Sequence, residues 1–317
     1  MDFDGLFIKS LKNDDLITLK KIPKTDLHNH SSRGANRKYF EKKYNANLGF
    51  VPRFHDIESM NYWYDKTFHN FADGSEGFRD RLISLFIEAN EENIQYFSPM
   101  FCLSMKKHFN NSLIEYFSYI KYISNLYAPN TILLPELSLS REEEISTKEL
   151  KEILNYNFFK SVDLMGDEKL SIDSFVPIYR ICNEQGLILK AHVGEFTSSD
   201  FVEEAIKKLN LDVINHGLSI IDSKYLMEKV SNLGIVVNIS PSSNYYLRRC
   251  DYKDNPIKIM HNNNIITTIN TDDLLIFNQS LSEEYLNLYK NNVLNEYEIN
   301  EIRNNGIKYS LKKRRGN

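Results

Sequence analysis

The chain has 317 residues, of which 42% are hydrophobic and 26% are charged, and its formal net charge is -4. This length suits one large α/β domain, and the charge balance gives no case for a nucleic-acid or membrane partner. The sequence has no signal-peptide pattern and no apolar run of bilayer length, and its three cysteines are widely spaced, so we expect a protein of the reducing cytoplasm.

Short apolar stretches alternate with helical patterns along the chain. Residues 1–22 are predicted to form a leader segment, and residues 24–30 form the first strand. The aromatic-rich insert, residues 39–71, has no strand period and is predicted to contain helices and loops. Gly186 and Gly234 each follow a helical pattern and precede an apolar run, as expected of a helix-to-strand junction. The other seven strands are predicted at 93–97, 131–137, 158–164, 187–192, 212–216, 235–239 and 265–270.

The alternation of strands and helices predicts the fold. Short apolar strands separated by helices indicate a parallel sheet. Eight such units in this length point to a closed (β/α)8 barrel of the TIM type, formed by residues 1–317 as a single domain. An open doubly wound sheet is the structural alternative, but no Gly-x-Gly-x-x-Gly follows any of the strands.

Polar residues collect where the strands end, which is where such barrels carry their active sites. His28 and His30 share one face of the first strand, because alternate side chains of a strand point the same way. Neutral imidazole is a suitable ligand for zinc. Asp272 and Asp273 could instead cap a helix, and each other residue also has an ordinary explanation. Separate explanations do not account for the whole set, which adds His192, Glu195 and His216 at other strand ends.

Six short motifs together resemble the adenosine deaminase family of metal-dependent amidohydrolases. In order, from Pro23 to the helix after Asp273, they are PKTDLHNH, VDLMGDE, KAHVGE, NHG, SPSSN and NTDD. The resemblance implies one zinc ion per chain, held by His28, His30, His192 and Asp272. It also implies that Glu195 protonates purine N1 while zinc-bound hydroxide adds to C6, with His216 orienting the water.

The same resemblance implies how the substrate is held. Asp273 would contact the N7 edge of the purine, and the backbone at Gly166 would contact N3. The insert, residues 39–71, would be a helical lid over the active site. The expected substrate is a small-molecule purine, adenosine or an adenosine derivative, and the products are the 6-oxo purine and ammonia.

One loop departs from the family pattern. Ser32 stands where members that act on nucleosides carry an acidic residue that holds the sugar, and Arg33, Arg37 and Lys38 follow it. We assign Ser32 and Arg33 to the substrate-binding side of the site. Two interpretations of these three cations remain open. They form part of a basic surface loop, or they bind a phosphate or other anion on a substrate that is a phosphorylated or N6-substituted adenine derivative.

Two other classes of function compete with the deaminase. The opening DLHNHS also resembles the polymerase-and-histidinol-phosphatase family, a class of multi-metal phosphoesterases. Those sites use a late Asp-x-His, whereas this chain has Asn270-Thr271-Asp272-Asp273 with no histidine. Binuclear amidohydrolases commonly bridge two metals with a lysine on strand four, where this chain has Met165, so we expect one metal ion. A non-catalytic binding protein is the third hypothesis. Glu195 argues against it, because a protein that only binds has no need of an acid.

Overall fold

Parallel strands close into a barrel, which confirms the predicted (β/α)8 fold. The structure is a computed structural model that describes residues 2–310, apart from the side chains of residues 69–72. The strands pair in the order β1-β2-β4-β5-β6-β7-β8-β9, with the short β3 also paired to β2. They are β1 (Lys24–His30), β2 (Ile94–Cys102), β3 (Ile132–Leu133), β4 (Glu136–Ser140), β5 (Ser161–Met165), β6 (Ile188–Val193), β7 (Val213–His216), β8 (Val236–Ile239) and β9 (Ile266–Ile269).

Helices surround the strands and connect them. Most of the connections carry one helix, whereas the segment between β1 and β2 carries three. The helices are α1 (Phe3–Lys12), α2 (Leu16–Lys21), α3 (Arg37–Tyr44), α4 (Ile57–Ala72), α5 (Gly74–Glu91), α6 (Leu113–Tyr127), α7 (Thr147–Leu154), α8 (Val176–Glu184), α9 (Ser199–Leu209), α10 (Lys224–Leu233), α11 (Pro241–Tyr246), α12 (Ile257–Asn262), α13 (Leu274–Phe277), α14 (Leu281–Lys290) and α15 (Glu296–Ser310).

Several element boundaries differ from the sequence prediction. β2 continues five residues beyond its predicted end at 97 and includes Pro99, which pairs with Asn29 directly after a register shift in β1 between Asp26 and Asn29. The strand predicted at 131–137 is divided into β3 and β4, with Pro135 between them. The leader contains two helices, and Asp15 caps the second by accepting from the Thr18 N–H.

The barrel interior is polar below the strand ends. Lys190 pairs with Glu136 and donates to Ser98 Oγ at 3.1 Å and to the Leu27 carbonyl at 2.9 Å. A second chain of side-chain hydrogen bonds crosses strands β5, β7, β8 and β9 through Asp163, Asn215, Asn238 and Thr268. Because these groups satisfy one another, they can be buried without the full desolvation penalty of unpaired polar atoms.

The insert packs as a helical layer on one end of the barrel. Its α3 and α4 contribute Phe40, Tyr64 and Phe68 to a hydrophobic cluster that is separate from the main core. The same cluster includes Leu247, which follows α11, and the residues of α13 that follow Asp273. The insert therefore lies against the segments that come directly after the C-terminal ends of β8 and β9. The side chains of residues 69–71 of the predicted lid lie outside the described residues.

Among residues 2–310, the structure contains no helix that is both long enough and apolar enough to cross a membrane.

Candidate active site

Three histidines and one aspartate meet at the C-terminal ends of the strands. His28 and His30 come from β1, His192 comes from β6, and Asp272 follows β9. Asp272 Oδ1 lies 3.1 Å from His30 Nε2 and 3.4 Å from His28 Nε2, and His192 Nε2 lies 3.3 Å from His30 Nε2. The structure therefore brings together all four residues that the sequence predicts as metal ligands.

The donor set fits a metal ion on geometric and chemical grounds. His28, His30 and His192 offer nitrogen atoms that all lie within 4.8 Å of one another. His28 is fully buried, and neither of its ring nitrogens has a hydrogen-bond partner among the described residues. Burial also lowers the pKa of His28 to about 3, so its ring is neutral and keeps a lone pair for a ligand bond. Buried polar atoms without partners are rare, and a metal ion bound to the nitrogen that keeps the lone pair would satisfy one of the two.

His216 belongs to the same cluster. Its Nε2 lies 3.6 Å from Glu195 Oε2, and its ring centroid lies 5.1 Å from that of His28. One ligand atom each of His28, His216 and Asp272 also falls within 4.8 Å of the others, so geometry alone would admit His216 as a ligand. His216 and Asp272 have φ of 67° and 58°, in the left-handed region that costs energy for residues other than glycine. Such strain is typical of functional sites.

Glu195 is a buried carboxyl group held at the edge of the cluster. It is 7% exposed, and its Oε1 has no hydrogen-bond partner among the described residues. Burial raises the pKa of Glu195 well above its usual range, and the negative charges of Asp272 and Glu168 raise it further. Glu195 is therefore favoured in its neutral form, in which it can donate a proton.

Two residues that support the site escaped assignment from the sequence. Asp163 Oδ2 lies 2.6 Å from His192 Nδ1, which orients the ring so that Nε2 faces His30. Glu168 accepts from the backbone N–H groups of Gly194 and Glu195, at 2.8 and 3.1 Å, and so fixes the loop that carries the acid. Both lie at the end of β5, within the VDLMGDE motif. Their position at a strand end was the available signal, but their partners were not predictable from it.

Asp273 lies beside the cluster and contacts the loop that follows β1. Its Oδ2 is 3.7 Å from Arg33 Nη1, whereas its Oδ1 has no hydrogen-bond partner among the described residues. Ser32 is half-buried, and its carbonyl accepts from Arg81 Nη1 at 3.0 Å. Gly166 directly follows β5 in an exposed position with φ of +101°, and a Cβ at this residue would clash with Glu142 Oε2.

Of the three cations after Ser32, the structure places only Arg33 beside a residue of the cluster. Arg37 is 2% exposed, donates to the Gly49 carbonyl at 2.7 Å and lies over the Trp63 ring. Lys38 is exposed and lines a surface cavity on the flank of the barrel, together with Lys20, Glu88 and Glu283. Nη1 of Arg37 has no hydrogen-bond partner among the described residues, so the interpretation in which Arg37 and Lys38 bind a substrate anion stays a prediction.

Comparison with known proteins identifies the family of the chain. The sequence model of the adenosine deaminase family matches residues 136–316. An adenine deaminase of Marinomonas sp. is 24% identical over 312 residues, which cover 91% of each chain. The adenine deaminase of Arthrobacter aurescens superimposes with a TM-score of 0.75 at 18% identity, over 92% of this chain and 94% of that one. The N6-methyl-AMP deaminase of Arabidopsis thaliana superimposes with a TM-score of 0.74 at 17% identity, over 92% of each chain.

The resemblance inferred from the six motifs is thereby confirmed. The family model covers more than half of the chain, and the solved structures share its barrel over nearly the whole length. The chain is a member of the adenosine deaminase family and a hydrolase that acts on carbon–nitrogen bonds.

Proposed function

We propose that the protein is a zinc-dependent hydrolytic deaminase that converts an adenine-type purine to the 6-oxo purine and ammonia. The observation that carries this proposal is the convergence of His28, His30, His192 and Asp272 beside the buried carboxyl of Glu195. Imidazole nitrogens and one carboxylate are the ligands that catalytic zinc sites use. Zinc bound there supplies the acidity that makes water a nucleophile at neutral pH.

Glu195 is the general acid of the proposed reaction. Its neutral carboxyl donates a proton to N1 of the purine, which draws electrons from C6 and makes that carbon open to attack by water. The raised pKa of Glu195 supports this assignment, because an ionised carboxylate has no proton to give. The adjacent backbone is rigidly held by Glu168, so the carboxyl needs little reorganisation.

His216 and Asp273 complete the assignment. His216 orients the attacking water and accepts its proton, a role supported by the 3.6 Å distance between His216 Nε2 and Glu195 Oε2. The amino group then takes that proton from His216 and leaves C6 as ammonia, while the added hydroxyl becomes the 6-oxo group and returns its proton to Glu195. Asp273 contacts the N7 edge of the ring through Oδ1, which has no other partner among the described residues. The backbone at Gly166 contacts N3.

The substrate panel follows from the relatives. They include enzymes named for adenine and for N6-methyl-AMP, which share the adenine ring and differ in what N9 and N6 carry. The zinc-loaded protein should be incubated with adenine, adenosine, AMP and N6-methyl-AMP, with ammonia measured and products identified by mass spectrometry. We expect exchange of the 6-amino group for oxygen in at least one compound. No reaction with any of them would contradict the proposed activity.

Glu195→Gln tests the mechanism. Glutamine keeps the size of the side chain but cannot act as an acid at neutral pH, so kcat should fall by about 100-fold or more while zinc stays bound. Zinc content measured by elemental analysis is the control. Unchanged turnover in this variant would remove Glu195 as the acid, and two or more metal ions per chain would favour the phosphoesterase class instead.

A further inference from the structure

Arg33 is fixed by partners on three sides. Its Nη2 donates to Asn61 Oδ1 at 2.8 Å, its Nη1 lies 3.7 Å from Asp273 Oδ2, and its guanidinium carbon lies 5.0 Å from the centroid of the Tyr64 ring. Asn61 and Tyr64 belong to α4 of the insert, whereas Asp273 follows the last strand. This group of four residues, the Arg33 cluster, therefore joins the insert to the active site.

The Arg33 cluster is held rigidly on its far side as well. The Tyr64 hydroxyl accepts from Arg81 Nη1 at 2.8 Å, and the same nitrogen donates to the Ser32 carbonyl at 3.0 Å. The Arg33 carbonyl accepts from the Leu275 N–H at 2.7 Å. Both the backbone and the side chain of Arg33 are thus tied to their neighbours. An arginine that already has partners of this kind is preorganised, and little entropy is lost in keeping it in place.

The position of Arg33 relative to a bound purine follows from ring geometry. This step rests on the proposed function, in which Asp273 Oδ1 contacts N7. In the five-membered ring of a purine, N7 and N9 are separated by the single carbon C8. From N7 the ring continues toward C6 on one side and toward C8 and N9 on the other. Because C6 faces the metal ligands in the proposed reaction, whereas Arg33 extends from Asp273 to Asn61 of the insert, we place Arg33 on the side of C8 and N9, the edge that carries the sugar in a nucleoside.

The chemistry at this edge does not suit a sugar. The guanidinium of Arg33 is only 28% exposed, and the Tyr64 ring behind it is buried. Ser32 offers a neutral hydroxyl at the position where the family pattern has an acidic residue for the sugar. The charge of Arg33 is also opposed by Asp273, which weakens its attraction for a phosphate.

We propose that Arg33, together with Asn61 and Tyr64, determines specificity by closing the N9 edge of the pocket. The site consequently takes a 6-aminopurine base without a sugar. Arg33 acts as a positioning residue for Asp273 and as a steric limit for the substrate.

The test is a comparison of kcat/KM for adenine, adenosine and AMP between the native protein and Arg33→Ala. We expect the native protein to prefer adenine over adenosine by about 100-fold or more, since rejection of an added group by a closed site is of this order. Arg33→Ala should move the ratio of the two kcat/KM values toward adenosine by about tenfold or more. The fall in kcat/KM for adenine in Arg33→Ala should appear mainly as a higher KM, because Asp273 contacts N7 in both the ground state and the transition state.

Two further variants separate specificity from loss of structure. Arg33→Lys keeps the charge but not the fork that reaches Asn61 and Asp273 together, so its ratio should lie between those of the native protein and Arg33→Ala. Asn61→Ala removes one partner from the outer side and should move the ratio in the same direction by a smaller factor. If Arg33→Ala does not fold, these two variants decide the question.

Arg53→Ala is the matched control. Arg53 also joins the insert to the barrel, through the Tyr245 carbonyl at 3.0 Å and Asp251 at 2.9 Å, without contacting Asp273. This variant should lower kcat/KM for all three substrates by a similar factor. An equal shift of the adenosine-to-adenine ratio in Arg53→Ala would assign specificity to the insert as a whole and overturn the proposal.

The remaining outcomes each contradict a different statement. A native preference for adenosine overturns the steric role of Arg33. A native preference for AMP that disappears in Arg33→Ala would instead make Arg33 a phosphate ligand. The absence of ammonia from every purine would contradict the proposed function itself, and it is distinguished from the other results because no ratio can then be measured.

Discussion

At the scale of single residues, the contact between Asp163 and His192 controls how well the site holds a metal. His192 can offer the Nε2 lone pair to a metal only if Nδ1 carries the proton, and Asp163 Oδ2 lies 2.6 Å from Nδ1, where its negative charge favours that tautomer. The other oxygen of Asp163 accepts from Asn215 Nδ2 at 3.1 Å, so the carboxylate itself is fixed. Partners of this kind commonly set the tautomer and basicity of a metal-binding histidine.

Replacing Asp163 should therefore weaken zinc binding without removing a ligand. Asp163→Ala is expected to lower zinc affinity by about 10- to 100-fold, as measured by competition with a chelator of known affinity. Asp163→Asn keeps an oxygen that can accept from His192 Nδ1 and should lose less. Native affinity in the alanine variant would show that His192 is oriented by the rest of the barrel.

At the scale of one element, two acidic residues one turn apart are buried at the C-terminal end of α5: Glu88 in its last turn and Glu92 directly after it. Glu92 pairs with Lys20 at 3.2 Å and Lys24 at 3.7 Å and accepts from the Ser282 N–H, so it stays ionised. Glu88 is buried with one hydrogen bond, from Asn36 Nδ2, and its Oε1 has no partner among the described residues. Burial, and then the charge of Glu92, raises the pKa of Glu88 from its usual 4.5 to about 7.

The difference between the pKa of Glu88 in the folded and the unfolded chain makes the stability of the fold depend on pH. Because the folded chain binds the Glu88 proton more tightly than the unfolded chain, stability falls as the pH rises from 4.5 to about 7. Glu88→Gln should remove this loss and raise the free energy of unfolding at pH 8 by on the order of 2 kcal/mol, with little change at pH 4.5. Urea unfolding of the native protein and of Glu88→Gln, at pH 4.5 and at pH 8, measures this change in the free energy of unfolding.

The control for Glu88→Gln is Glu91→Gln on the same helix. Glu91 is exposed, so its substitution should change stability little at either pH. A stabilisation of Glu88→Gln that is equal at both pH values would mean that the proton on Glu88 is not its cause.

At the scale of the whole molecule, the barrel has one weak seam. Among the described residues, β1 is joined to the segment that follows β9 by a single bridge, between Asn29 and Asp272. The other consecutive strands in the barrel order pair over three or more residues, and only the short β3 pairs with β2 over two. Side chains supplement the seam: Asn29 Nδ2 donates to Thr271 Oγ1 at 2.9 Å, and the Leu27 N–H donates to Asn270 Oδ1 at 2.8 Å. His28 and His30 lie on one side of the seam and Asp272 lies on the other.

Removing the metal should therefore destabilise the entire fold. Zinc at 100 times its dissociation constant should contribute about 2.7 kcal/mol, so dialysis against a chelator should lower Tm by several degrees and restored zinc should recover it. His192→Ala lacks a ligand and should show a much smaller response to zinc. An identical Tm with and without chelator in the native protein would contradict a metal that bridges the seam.

The sequence predicts the fold and the convergence of the four candidate metal ligands better than it predicts what surrounds the site. His28, His30, His192 and Asp272 could be found because strand ends of a barrel converge, so alternation and position suffice. The partners of Arg33 could not be found in this way, because Asn61 and Tyr64 lie on a helix whose packing depends on the tertiary fold. The C-terminal end of β2 is hard to predict, because proline argues against a strand. In the structure β2 includes Pro99, which pairs with Asn29 directly after a register shift in β1.

The seam also determines when the metal site can form during folding. Asn29 and Thr271, which bridge it, are 242 residues apart in the sequence, so their contact requires most of the barrel to be in place. Interactions that form after the transition state slow unfolding and leave the folding rate nearly unchanged. Bound zinc should accordingly lengthen the lifetime of the folded protein by slowing its unfolding, and it should change the folding rate little.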